Sequence, residues 1–95
     1  MIVKGTTKSG IKFQLDSKIK DDTRLLFLMT KSQNTDDMME AGKAVMSLLS
    51  LIFGSDDNVM VFMNEVAAKH KGVCSTTDMI RELREILDVV EAKNS

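Results

Sequence analysis

The 95-residue chain has no proline, tryptophan or tyrosine, and it has one cysteine. Without Trp and Tyr it lacks the residues most typical of rigid aromatic recognition pockets and interface hot spots. A lone cysteine, Cys74, excludes an internal disulfide and fits a reducing cytosol. Long hydrophobic runs are missing too. The longest apolar stretch, Val45 to Phe53, is interrupted by Ser47 and Ser50 and falls below membrane-spanning length, and Met1-Ile2-Val3 is too short for a signal peptide. Charge of one sign is also missing. A formal charge of −1 gives the chain no electrostatic footprint for nucleic acid or an anionic membrane. The expectation is a protein of the cytoplasm that is not a membrane protein and for which nucleic acid is not the favoured partner.

What is present can build one core. Apolar residues make up 43% of the chain and charged residues 28%, enough for a single domain over residues 1–95. Eight methionines are an unusually large share. Met is flexible and polarizable; it fills irregular cores, and it also lines surfaces that adapt to more than one partner.

Periodicity divides the chain in two. Residues 1–15 read as a β-hairpin. Ile2 and Val3 open it, Lys8-Ser9-Gly10 turns it, and Ile11, Phe13 and Leu15 alternate with Lys12 and Gln14. From residue 21 to 93 the spacing is helical. Asp21 or Asp22 caps a first helix carrying Leu25, Leu26, Leu28 and Met29, and Lys31 to Asn34 reads as a polar loop. Asn34 or Thr35 caps a second helix, with Asp36 and Asp37 against its dipole. Its stripes are Met38, Gly42, Val45, Leu49, Ile52 and, beside them, Met39, Met46, Phe53. Gly54 ends that helix and Ser55-Asp56-Asp57-Asn58 starts the third, whose buried side is Val59, Phe62, Met63, Val66 and Ala67. Gly72 serves as the residue after its cap. Ser75 and Asp78 have capping-box spacing. Met79, Leu83, Ile86 and Val90 form the buried stripe of the last helix, flanked by Ile80 and Leu87, with Arg81–Glu85 and Arg84–Asp88 as pairs on its wet side. The predicted fold is mainly α: a short N-terminal hairpin followed by a bundle of about four helices.

The sequence carries no motif for chemistry. Catalysis needs a nucleophile, a base and an orienting group held together. The only histidine, His70, stands between Lys69 and Lys71 as a cation near a helix end. With Cys74 it makes too few ligands for structural zinc. Asp56-Asp57-Asn58 lacks the spacing, Gly and terminal Glu of a calcium loop. No phosphate-cradling glycine pattern is present. The expectation is no catalytic, cofactor or metal residue, and no enzyme. Asp16-Ser17 is a faint echo of phosphopantetheine carriers, without their acidity. The last helix mixes Arg81 and Arg84 with Glu82, Glu85 and Asp88, too weak a field for a DNA-recognition helix.

The order of segments is more telling. K-S-G-I-K-F-Q-L-D is followed by D-D-T-R-L-L, then by L-L-S-L-I-F-G-S-D-D, then by H-K-G-V-C-S-T-T-D-M-I-R-E-L-R-E-I-L. From about Gly10 to Val90 this resembles the tail assembly chaperones of long-tailed phages and prophages of Gram-positive bacteria. Relatives often carry an aromatic after the paired Asp, where this chain has Thr23. The resemblance implies an ATP-independent chaperone in the bacterial host cytoplasm that binds the tape measure protein, keeps it soluble and helps recruit tail tube subunits. It also implies, for many members, a longer form made by a programmed frameshift. Self-association is left open. The alternative is a small helical regulator or adaptor of a phage or prophage, with nucleic acid as one partner open to it. For either, an adaptable apolar surface for helices is needed. The candidate partner-binding residues are Met38, Met39, Met46, Met60 and Met63.

Overall fold

The structure is a computed structural model that describes residues 1–93. Strands β1 (Ile2–Thr6) and β2 (Lys12–Asp16) pair antiparallel, with Val3 opposite Leu15 and Gly5 opposite Phe13. A 3₁₀ turn, Ser17–Asp21, leads into α1 (Thr23–Asn34), α2 (Met38–Phe53), α3 (Asp56–Lys69) and α4 (Thr76–Lys93). Hairpin plus four-helix bundle is the observed architecture.

The hairpin forms because its alternation gives it one apolar face. Val3, Ile11, Phe13 and Leu15 are buried, whereas Lys12, Gln14 and Asp16 are exposed. Gly10 takes φ +96 at the turn, which an L side chain rarely adopts. Gly5 meets a different constraint. A Cβ there would lie 2.6 Å from Phe13 Cζ, so the Phe13 ring rests on bare backbone. One contiguous core joins this face to Leu25 of α1, Val45, Leu49 and Ile52 of α2, Val59 and Phe62 of α3, and Met79, Leu83, Ile86 and Val90 of α4. Phe53 and Phe62 stack with centroids 4.8 Å apart, closing the α2–α3 corner. Gly54, in the left-handed conformation, ends α2, and Ser55 caps α3 through the Asn58 N–H. Among the described residues, no single helix is long and apolar enough to cross a membrane.

Several boundaries differ from the sequence reading. Lys31 to Asn34 is the last turn of α1, not a loop. Its side chains are polar because that turn faces water, and an exposed helical turn has the composition of a loop. The cap of α2 is Asp37 rather than Asn34 or Thr35. Its carboxylate accepts from the Met39 and Glu40 N–H groups. The stripe along α2 begins later than its periodicity suggests. Met38 and Gly42 are exposed, while Ala44 and Leu48 join Val45, Leu49 and Ile52 inside. The facing end of α1, Lys31 to Asn34, offers no aliphatic side chain to cover the first turn of α2. After α3 it is Lys71, at φ 63, that first turns left-handed, with Gly72 next at φ 86. The Gly72 N–H donates to Ala67 O at 2.7 Å. Arg81 binds Asp78 at 3.1 Å instead of Glu85, because Glu85 accepts the Lys8 N–H of the hairpin loop at 2.7 Å.

The Asp37 assignment has a direct consequence. Asp37→Ala is expected to cost about 1 kcal/mol, lowering Tm by roughly 4–8 °C in thermal unfolding, whereas Asn34→Ala leaves Tm nearly unchanged.

Candidate partner interface

A cleft of about 460 Å³ opens between α1 and α4. Its floor is aliphatic: Leu25 and Met29 of α1, Val45 and Leu48 of α2, and Ile80, Leu83, Leu87 and Val90 of α4. Ile19, from the 3₁₀ turn, closes one end. Ser32, Gln33, Arg84, Asp88 and Glu91 stand around it. The cleft exists because α4 carries a second apolar row, Ile80 and Leu87 seven residues apart, beside the stripe that fills the core. Ile80, Leu87 and Met29 are only partly buried, so part of their apolar surface still faces water. A pocket for a polar small molecule gathers a few convergent polar groups around an apolar base. Here the polar groups sit at the rim and the base is uniformly aliphatic, the arrangement that receives the apolar face of an amphipathic helix.

A second apolar surface lies on the other side of α1. Leu26 and Phe27 are 67% and 64% exposed, large residues left in water on a helix whose opposite face is the cleft wall. Asp22 holds the start of this helix. It pairs with the Arg24 guanidinium and also accepts from the Arg24 N–H at 2.9 Å, which together hold its carboxyl below the usual carboxylate range.

The five methionines nominated from sequence are distributed differently. Met38 and Met39 are 88% and 72% exposed in the first turn of α2, and Met46 and Met60 are exposed on α2 and α3. Met63 is partly buried against the core. None of the five lines the cleft, where the methionine is Met29. Sequence reasoning missed Met29 as a surface residue because it falls on the same face of α1 as Leu25. The flanking pair Ile80 and Leu87 was the signal for the cleft, since a helix needs only one stripe to be held in a core.

His70 belongs to a polar joint between the hairpin and the helices. His70 caps α3 with its N–H donating to Ala67 O, and its imidazole turns toward α4. Nδ1 lies 3.7 Å from Asp78 and Nε2 lies 3.6 Å from Glu82. Glu82, only 1% exposed, accepts a hydrogen bond of 2.8 Å from the Thr7 hydroxyl, which in turn accepts from the Ile11 N–H. The sequence reading placed Glu82 among the charges of the last helix and did not see it as buried. Burial, and then the charge of Asp78, push the Cys74 thiol up from its ordinary value, so it is held as the thiol at neutral pH and is a poor nucleophile. Among the described residues, no three His, Cys, Asp or Glu side chains converge to hold a metal ion. Asp56 and Asp57 sit in the first turn of α3, favourably placed against its dipole.

No protein-family model matches this chain, and neither a curated protein nor a solved structure is significantly similar to it.

Proposed function

We propose that the chain is a tail assembly chaperone that holds a tape measure protein in solution, through apolar helical surface and without ATP, and helps recruit tail tube subunits to it. The observation that carries this reading is the open aliphatic cleft between α1 and α4, with Leu26 and Phe27 exposed on the outer side of α1. A protein that covers long, apolar helices needs such a groove, and many copies along one client turn weak contacts into stable coverage. Exposed methionines at Met38, Met39, Met46 and Met60 add apolar surface that can repack against differing client segments. The alternative of a nucleic-acid-binding regulator has less behind it. Arg81 is engaged by Asp78, and α4 alternates in sign along its wet side.

Co-expression of the tape measure protein with the chain tests the proposal. The wild type is expected to raise the soluble share of the client and to co-purify with it. Met29→Lys combined with Leu87→Lys places two ammonium groups in the cleft, where a docked apolar helix would desolvate them. Capture is expected to weaken by at least about 100-fold while far-UV circular dichroism stays unchanged. A client as insoluble with the wild type as without it sinks the reading. So does capture that survives the double substitution.

A further inference from the structure

The free edge of β2 carries an inference that stands apart from the client reading. The Thr7 N–H donates to Ile11 O, and the Ser17 N–H donates to Met1 O. With Val3 opposite Leu15 and Gly5 opposite Phe13, the odd-numbered pairs are therefore the hydrogen-bonded ones of this antiparallel ladder. Lys12, Gln14 and Asp16 consequently point their backbone groups away from β1. Among the described residues, no backbone group of another element bonds to the N–H or C=O of Lys12 or Gln14, or to the N–H of Asp16. The Asp16 carbonyl, at the cap of the 3₁₀ turn, serves that turn. Among the described residues, no further strand pairs with this edge. A shallow cleft of about 360 Å³ runs beside it, lined by Phe13, Ile52, Phe53, Val61 and Phe62, and Val61 is mostly exposed.

We infer that this edge pairs with the same edge of a second copy of the chain, antiparallel and centred on Gln14, to make a four-stranded sheet across a twofold axis. The charges choose both the occupant and the register. Centred on Gln14, Lys12 faces Asp16 of the other copy, and Asp16 faces Lys12 of the other copy, so both cross-strand pairs are attractive. The two Gln14 residues exchange both backbone bonds, and each Asp16 N–H donates to the opposite Lys12 carbonyl. Shifting the centre to Lys12 sets lysine against lysine, and shifting it to Asp16 sets aspartate against aspartate. A centre on Phe13 pairs Lys12 with Gln14 and leaves the charges unmatched. Strand β1 has no equivalent match, because its central outward residue, Lys4, would face its own copy. Self-complementarity of one patch is what a twofold interface requires. Asp16 also touches the Met1 ammonium at 3.3 Å and caps the 3₁₀ turn through one oxygen, which leaves the other oxygen to face Lys12.

Sedimentation of the whole chain from about 1 µM to about 1 mM reads the association directly. The mass is expected to rise from 10.6 kDa to twice that value at low salt. Lys12→Glu alone, or Asp16→Lys alone, turns both attractive pairs into repulsive ones and should raise the dimer Kd at least about tenfold. An equimolar mixture of the two variants restores both pairs between unlike chains, so a heterodimer should return. Should Asp16→Lys damage the 3₁₀ turn, Gln14→Pro provides a second route. It removes an outward N–H without touching a bond to β1, and it should leave the fold and abolish the dimer. A wild type that stays at 10.6 kDa throughout overturns the inference, as does Lys12→Glu dimerising as tightly as wild type, or folded variants that fail to associate when mixed.

Discussion

Ile86→Ala should remove about 3 kcal/mol of folding free energy and lower Tm by more than about 10 °C, one of the largest losses expected from a single truncation in this chain. Ile86 is wholly buried in the middle of α4, on the stripe Met79, Leu83, Ile86 and Val90. That stripe belongs to the one core that joins the hairpin to all four helices, so the vacated space has rigid walls on several sides. Truncation forfeits the transfer of three carbons from water and leaves a void that a close-packed interior fills only in part. A domain of this length has only about 5–14 kcal/mol to lose. Leu87→Ala, one residue on and facing the cleft, is the comparison. Its side chain is only partly buried, so it should cost less than half as much. Urea unfolding of both variants decides the matter, and equal losses would mean that the cleft is closed in solution.

Glu82→Ala should destabilise by about 2–4 kcal/mol through a different mechanism. The Glu82 carboxyl is sealed from solvent, receives the Thr7 hydroxyl at 2.8 Å and lies 3.6 Å from His70 Nε2, a buried atom without a hydrogen bond among the described residues. Removing it leaves the buried Thr7 hydroxyl unanswered and takes a carboxylate from beside the His70 imidazole, besides opening a void. Glu82→Gln keeps an acceptor of the same shape and should cost less than half as much. Thr7→Val removes the hydroxyl that both donates to Glu82 and accepts from the Ile11 N–H, so it should loosen the hairpin by about 1–2 kcal/mol. Because these groups share one network, Thr7→Val with Glu82→Ala should cost less than the sum of the two alone. Strict additivity in that cycle would show the joint to be incidental.

Both residues also mark how far a one-dimensional pattern reaches. Glu82 follows Met79 by three and precedes Ile86 by four, which is core spacing on a helix, yet a carboxylate in a row of charges reads as solvated. Only the docking of the hairpin loop, with Thr7 above it and Glu85 taking the Lys8 N–H, makes that position an interior one. The cleft is similar. Ile80 and Leu87 are visible as a surplus apolar row, but what lies opposite them depends on where α1 is laid.

The elements are written in local pattern: a hairpin from a period of two, four helices from a period of three to four, ends at Gly54 and Ser55, and an α4 stripe of Met79, Leu83, Ile86 and Val90. These follow from local dihedral preference and from which side chains leave water, and both are written along the chain. Which of the wider apolar faces stay uncovered depends on how the elements pack against one another. Met38, Met39, Leu26 and Phe27 have the same chemistry as their buried neighbours, and only the placement of other helices separates core from contact surface. That packing also leaves the β2 edge open. An edge is defined by the absence of a neighbouring strand, and nothing along one strand specifies that absence.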